Sequence, residues 1–412
     1  MSADNVWLLV ATALVIFMTP GVAFFYGGLV KSKSVVSMMM MSFGALGLIS
    51  VLWVLYGYNM GMLTENGFTH WVGNPFSDFG LADNAAGNGD YSIISVLFDG
   101  SFAIITVALV SGAIADRARF WPWMIFAGVW GTVDYFVVKG WVWNADFGWI
   151  FNFGETGVLD WAGGTAVHIN AGAAALALAL VLGKRKVGFS KEETAPHNVP
   201  LVLIGTAILW FGWFGFNAGY NGGTDAGAGL IALNTLVAPA AAMLGWLLVE
   251  QLREGKPTAV GAASGVVAGL VAITPACAHV SPLWAIVLGL IAGAICAIAI
   301  DLKFKLGFDD TLDVVGIHMV GGFIGCWFLG FFAQYMPGED GVADNKTGLF
   351  LGGNADQLVA QVVCSLAVFA FSFVTAYVIG FAIEKTVGFR AKEEDEIAGI
   401  DLALHGAGYT TD

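Results

Sequence analysis

Runs of about twenty apolar residues recur along the whole chain, and this feature limits the possible fold more than any other. A helix needs about 20 apolar residues to cross the hydrocarbon core of a bilayer, since each residue advances it by about 1.5 Å. Such runs occur at residues 5–30, 35–62, 91–115, 120–140, 160–183, 198–219, 228–250, 258–278, 283–304, 311–335 and 356–384. The sequence therefore predicts an all-α integral membrane protein with eleven transmembrane helices.

The composition supports this assignment and excludes other classes of protein. Charged residues make up 12% of the chain and apolar residues 58%, whereas about a quarter of a soluble domain is charged. The surplus apolar surface is expected to face lipid. There is no basic patch with interleaved aromatics, so nucleic acid is not an expected partner. The four cysteines lie singly in apolar stretches, which predicts neither a structural metal site nor a disulfide framework.

Basic residues predict the orientation of the chain. Of the 17 Lys and Arg residues, 15 fall in one alternate set of loops and the C-terminal segment, and only Lys139 and Lys346 fall in the other set. Because Lys and Arg collect on the cytoplasmic side, we expect the N-terminus outside and the C-terminus in the cytoplasm. The first apolar run has no basic residue before it, so we expect a span rather than a cleaved signal.

Two histidines lie inside predicted spans, His168 in the fifth and His318 in the tenth. His168 follows Asp160 by eight residues, or about 12 Å of helix, from the outer end. His318 follows Asp313 in a span of opposite direction, about 10 Å from the inner end. Both imidazoles are therefore expected near mid-membrane. Spans one to five and six to ten would form two inverted five-helix repeats, with a binding site near the midplane.

The matched depth of the histidines favours a role in a transport path. A single intramembrane histidine can be a core residue bonded to a backbone carbonyl, but ionisable groups in a membrane are costly and usually line a pathway. No third ligand occurs at comparable depth, so no metal site is predicted. In apolar surroundings both rings should stay uncharged and offer hydrogen bonds to a small polar molecule. A permanent cation would pass poorly between them.

Aromatic residues collect near the predicted outer ends of several spans. Phe98 and Phe102 are four residues apart, which places them on one face of the third span. Span six carries Trp213, Phe214 and Phe216 between glycines, and Trp143 follows span four. Each of these is more typical of a membrane-interface belt or a core. Together they would form an aromatic cup for a small cation, worth about 0.5–2 kcal/mol per ring.

At these residues the chain resembles the Amt/Mep/Rh ammonium transporter family, on the Amt side. The resemblance runs from Trp7 to about His405, and the matching stretches are residues 20–28, 160–170, 212–219, 274–277 and 309–318. It implies that His168 and His318 are the twin-histidine pair of an ammonia-conducting pore. It also implies a homotrimer in a plasma membrane, and more specifically in the inner membrane of a prokaryote. It implies no cofactor and no enzymatic activity.

The resemblance assigns roles to further residues. Phe102 and Phe216 are expected to form a stacked gate above the histidines. The outer ammonium recruitment site is expected to include Phe102 and the residues Trp143, Phe98, Tyr220 and Asp160, with Asp160 shaping the site rather than binding the ion. Bacterial members often carry serine at the position of Tyr220, so this part of the site is expected to be built differently here.

The predicted function is ammonium transport, in which ammonium is recruited, deprotonated and conducted as ammonia, with methylammonium as an analogue. Whether the proton follows separately is left open. Residues 1–384 would form the transport domain, with span eleven at 356–384, and residues 385–412 a cytoplasmic regulatory tail that can meet a PII-type protein. The alternatives are an ammonium sensor of the same fold that signals through the tail, and a carrier for another small solute such as an organic cation or carbon dioxide.

Overall fold

The computed structural model describes residues 2–64, 70–89, 92–190, 195–219, 226–334, 346–406 and 408–409. These residues form helices and turns, and an isolated β-bridge joins Ala118 to Arg390. The apolar helices are α1 (Ala3–Leu29), α2 (Val35–Met60), α3 (Ile93–Ile114), α4 (120–143), α5 (Gly164–Leu182), α6 (Val199–Ala218), α7 (Ala226–Glu254), α8 (Ala259–Ile273), α9 (Pro282–Ala299), α10 (Val315–Phe332) and α11 (Asp356–Thr386). The C-terminal segment adds α12 (Glu393–Ala398) and α13 (Ile400–His405). Short helical turns occupy Phe79–Leu81, Ala82–Ala85, Leu302–Leu306 and Leu349–Leu351.

Within the described ranges, nine of these helices are long and apolar enough to cross a membrane. Helices α4 and α8 correspond to the other two predicted spans. Helix α4 is continuous, but its tryptophans, Asp134 and Lys139 lower its hydropathy. Helix α8 has 15 residues and is buried by protein along most of its length, so it does not need a lipid-spanning apolar surface. The fold is an all-helical bundle with about nine to eleven apolar helices.

Two helices begin later than the sequence predicts. The fifth and tenth spans were expected from residues 160 and 311, but α5 begins at Gly164 and α10 at Val315. In each case the preceding segment is a turn that ends in an aspartate-capped helix start, which the apolar pattern alone does not show. Both helices open with a π-helical turn, Gly164–Ile169 and Val315–Met319. Such wide turns are frequent at functional sites, and each of these contains one of the two histidines.

Lys139, counted above with the loop residues, lies inside α4 and is buried. Its Nζ is 2.9 Å from the Asp99 carboxylate on α3, and its charge also lies over the Tyr58 ring, 5.4 Å from the centroid. A buried charge needs a partner of opposite sign, and Asp99 supplies it. The sequence shows neither the burial nor the partner, because the two residues are far apart along the chain.

The C-terminal segment folds back against one end of the bundle, which we call the tail side. The Asp401 carboxylate accepts hydrogen bonds from the backbone N–H groups of Val36 and Ser37, at 2.9 and 2.7 Å, at the start of α2. The Arg390 guanidinium donates to the Leu182 carbonyl at 2.9 Å and pairs with Glu396. These contacts join the tail to α2, to α5 and to itself.

Candidate functional site

The two histidines of the predicted pore meet inside the bundle. His168 is 1% exposed and His318 4% exposed. Their Nδ1 atoms are 3.2 Å apart, and the rings are nearly parallel, at an interplanar angle of 26°. One Nδ1 therefore donates a hydrogen bond to the other. The Nε2 atom of His168 has no hydrogen-bond partner among the described residues.

The Nδ1–Nδ1 contact makes the two Nε2 atoms complementary, one a hydrogen-bond donor and the other an acceptor. In a neutral imidazole, one nitrogen carries the proton and the other accepts. The ring that donates from Nδ1 has a bare Nε2, and the ring that accepts at Nδ1 has a protonated Nε2. The pair thus offers one acceptor and one donor beyond the contact itself. A small molecule that both donates and accepts hydrogen bonds suits this arrangement.

Close backbone packing between α5 and α10 holds the histidines together. A Cβ atom at Gly172 would lie 2.5 Å from Met319 Cβ and 2.7 Å from the Met319 nitrogen. A Cβ atom at Gly322 would lie 2.9 Å from Ile169 Cγ1 and 3.2 Å from the Ile169 nitrogen. Each glycine stands four residues after a histidine and meets the residue that follows the other one. The two contacts are equivalent under the 150-residue offset that separates the histidines.

Asp160 fixes the start of α5. Its carboxylate accepts hydrogen bonds from five groups: the backbone N–H of Gly163, Gly164, Thr165 and Ala166, and the Thr165 hydroxyl. Free N–H groups at a helix N-terminus need such an acceptor. Both carboxylate oxygens are occupied by these donors. This residue, predicted for the recruitment site, contacts the helix start that carries His168.

The counterpart of Asp160 is Asp310, not the Asp313 that the sequence pairing selects. Asp310 precedes His318 by eight residues, as Asp160 precedes His168. Its Oδ2 accepts the Val315 N–H at 2.7 Å, at the start of α10. Asp313 lies only five residues before His318 and instead receives the Lys303 Nζ at 2.6 Å. The sequence pairing selected Asp313 because it lies nearer to His318, whereas Asp310, before the turn, is the residue that caps the helix.

Predicted gate residues stack directly beside the histidines. The Phe102 and Phe216 rings lie 4.1 Å apart between centroids, at an interplanar angle of 23°. Phe216 in turn lies 6.2 Å from the His168 ring. Both phenylalanines are buried. The stacked pair therefore meets the histidine pair through Phe216.

Trp143 and Phe98 both pack against Phe102 of this stack. The Trp143 ring meets Phe102 edge to face, at 6.0 Å between centroids, and Phe98 meets Phe102 at 5.0 Å. The Trp143 indole N–H donates to the Asp160 carbonyl at 2.8 Å. Trp143 is only partly buried, whereas Phe98 is buried. Tyr220, the remaining predicted residue, lies outside the described residues, and its role stays a prediction.

Trp213 was predicted only as one member of the aromatic cup, and the structure places it against a histidine. The Trp213 ring stacks on His168, with centroids 5.5 Å apart and planes at 20°. Its indole N–H donates to the Thr274 hydroxyl at 2.8 Å. This tryptophan therefore fixes the plane of the His168 ring. Its position three residues before Phe216 on α6 is the sequence signal for it.

A narrow cavity continues from the histidines toward the tail side. Its walls are mainly apolar and come from α1, α3, α5, α6, α8 and α10. They include Met18, Val22, Phe25, Tyr26, Ile105, Leu109, Val167, His168, Leu209, Trp213, Phe216, Val267 and His318. The space is on the order of one water-sized molecule. A column of aromatics, imidazoles and apolar side chains thus runs through the bundle.

Comparison with known proteins gives this arrangement a family. The sequence matches the Ammonium Transporter Family over residues 6–409. The chain belongs to that family. An ammonium transporter of Mycobacterium tuberculosis is 48% identical over 98% of this chain and 90% of its own length. The resemblance stated from the sequence is therefore confirmed.

Solved structures of Amt and Mep proteins share the fold of this family member. Mep2 of Candida albicans superposes with a TM-score of 0.85 at 34% identity, covering 98% of this chain and 89% of that one. A protein named Sensor Amt Protein superposes with a TM-score of 0.88 at 28% identity, covering 98% of each chain. Ammonium transport across a membrane is the function that the family and its named relatives support.

Proposed function

We propose that this chain transports ammonium by conducting ammonia past His168 and His318, after ammonium has bound at Trp143 and lost a proton. The observation that carries this proposal is the buried Nδ1–Nδ1 contact of the two imidazoles beneath the stacked pair Phe102 and Phe216. Ammonia both donates and accepts hydrogen bonds, so it matches the one donor and one acceptor that the pair offers. No other part of the described chain combines these features.

Charge explains why the proton must leave before passage. A bare cation in a buried apolar column costs several kcal/mol or more, because it loses its hydration without gaining a counter-charge. Ammonium can instead bind at the partly exposed Trp143, where a ring face attracts a cation by about 0.5–2 kcal/mol. Neutral ammonia then pays a much smaller desolvation penalty at the gate.

The proposed membrane topology of the protein follows the distribution of Lys and Arg residues in the sequence. Helices α1 to α5 and α6 to α10 are two inverted halves, with the N-terminus outside and the tail side in the cytoplasm of a prokaryotic plasma membrane. The equivalent contacts of Gly172 and Gly322 support the relation between the halves. Assembly as a homotrimer and binding of a PII-type regulator at residues 385–412 complete the proposal and rest on the family resemblance.

A sensor of the same fold is the second candidate. The likeness to the protein named Sensor Amt Protein is the observation in its favour. The relatives of higher sequence identity are named ammonium transporters, so transport is preferred. A sensor would show no methylammonium uptake, while ammonium binding would change the conformation of its tail.

Methylammonium uptake into liposomes tests the proposal. His168→Ala and His318→Ala should each change uptake at least about tenfold or abolish the selectivity for ammonium over potassium, because each removes half of the hydrogen-bonding pair. His70→Ala is a matched control, since His70 is exposed in a loop, and its uptake should equal that of the unaltered protein. Normal uptake and selectivity in both pore variants would exclude the proposed path.

A further inference from the structure

Asp160 and Asp310 occupy equivalent places but differ in their hydrogen bonding. Both precede a histidine by eight residues, and both cap the helix that carries it. The Asp160 oxygens are occupied by five donors. Asp310 uses only Oδ2 for its cap, and its Oδ1 has no hydrogen-bond partner in the part of the chain that the structure describes. A buried carboxyl oxygen without a donor is uncommon and calls for a proton or a bound molecule.

Asp310 has neighbours that line the pore cavity and others that line a polar pocket on the tail side. Tyr26, which lines the cavity beside His318, is close enough to Asp310 to interact with its charge. On the other side, Lys303 Nζ donates to the Asp310 carbonyl at 2.9 Å and to the Asp313 carboxylate. Lys303 and Asp313 both line the polar pocket. Asp310 therefore has neighbours in both spaces, although it is itself 1% exposed.

Opposing charges around Asp310 favour proton exchange. Burial raises the pKa of Asp310 to about 6, the charge of Lys303 works against this rise, and the charge of Asp313 adds to it. The guanidinium of Arg117 binds the neighbouring Asp309 carbonyl and Thr311 hydroxyl. Tyr26 is the titratable group that faces Asp310 from α1. A carboxyl group in this range can both give and take a proton near neutral pH.

We infer that Asp310 is the proton-exchanging group at the inner end of the pore, which returns a proton to ammonia that has passed His318. This inference rests on the proposed function. Ammonia takes the proton of the Asp310 carboxylic acid and leaves as ammonium. The remaining carboxylate then takes a proton from hydronium in the polar pocket, which releases water. Asp160 cannot exchange protons in this way, since its oxygens are occupied by helix-start donors.

The dependence of flux on pH separates proton exchange from helix capping. The protein is reconstituted in liposomes, and methylammonium flux is measured while the pH on the tail side is varied from about 5 to 8. Flux through the unaltered protein should show an inflection near the pKa of about 6 that burial gives Asp310. Asp310→Asn keeps an amide oxygen for the Val315 N–H but cannot titrate. It should lower flux at pH 7 about tenfold or more and remove the inflection.

Two further variants complete the experiment. Asp310→Glu should restore part of the flux and the inflection, since it restores a carboxyl group. Asp160→Asn also keeps a capping oxygen, and its remaining flux should retain the inflection. An unchanged inflection in Asp310→Asn, beside normal flux through the unaltered protein, would overturn this inference alone. No flux through the unaltered protein at any pH would overturn the proposed function and this inference with it.

Discussion

The aromatic side chains of the column differ in their exposure to solvent. Trp143 is partly exposed, whereas Phe102 and Phe216 are buried to 4% and 1% exposure. Solvent strongly weakens electrostatic attraction, so an exposed ring can hold a hydrated cation only briefly, and a buried ring excludes it. Binding and exclusion are thus carried by different residues of one column.

Trp143 provides the test of this division at the residue scale. Trp143→Ala removes both the ring face and the indole N–H that binds the Asp160 carbonyl. The apparent affinity for methylammonium should fall by about 2- to 30-fold, as expected for a lost cation–π contact of about 0.5–2 kcal/mol. Uptake kinetics over a range of concentrations measure this change.

A matched variant separates the ring from its hydrogen bond. Trp143→Phe keeps an aromatic face and loses the N–H, so it should retain most of the affinity. Equal losses of affinity in the Ala and Phe variants would mean that Trp143 acts only by holding the Asp160 turn in place.

At this scale the sequence pointed to residues whose chemistry is unusual for their surroundings. An intramembrane histidine is costly, so His168 and His318 were visible as candidates. Trp213 was predicted only as part of an aromatic cup, and Asp310 had no assigned role, because a tryptophan in an apolar helix and an aspartate at a helix start are both ordinary. Their importance depends on which ring or oxygen they face, and this is set by the packing of distant helices.

At the scale of elements, the closest contacts of the site are those between α5 and α10. Gly172→Ala should push the two helices apart, because the new Cβ would lie 2.5 Å from Met319 Cβ and 2.7 Å from its backbone nitrogen. Overpacking of this kind costs about 1–3 kcal/mol. We expect a lower thermal unfolding temperature in detergent and a loss of methylammonium uptake.

Gly47→Ala is the matched control, because a Cβ atom at Gly47 in α2 meets nothing within 4 Å. It should leave the unfolding temperature and uptake close to those of the unaltered protein. If Gly172→Ala behaved like this control, close approach of the helices would not be what holds the histidines together.

The helices themselves were largely predictable, since an apolar run long enough to cross a membrane rarely forms anything but a transmembrane helix. Helix starts were less so: α5 and α10 begin four residues after the predicted positions, because the aspartate-containing turns before them also carry apolar residues and so extend the apolar runs. For the short helix α8, the apolar composition reflects burial by neighbouring helices rather than a length that spans the membrane.

At the scale of the whole molecule, the C-terminal segment connects the ends of several helices. Asp401→Ala would remove two hydrogen bonds between the buried Asp401 carboxylate and the start of α2, which are worth about 1–3 kcal/mol in total. The tail should then detach more often, and trypsin should cleave after Arg390 and Lys392 several-fold faster. Leu402→Ala is the control, since Leu402 is 74% exposed, and equal cleavage of both variants would exclude this role for Asp401.

The paired glycine contacts of α5 and α10 have a consequence for the temperature dependence of transport. They bring the backbones of the two histidine helices together, so these helices have little room to rotate against each other. A path of this kind opens when aromatic rings turn. It does not need the rocking of domains, which is the slower and larger of the two motions. Its activation enthalpy should therefore be small, and its rate should fall only gently on cooling, as in a channel.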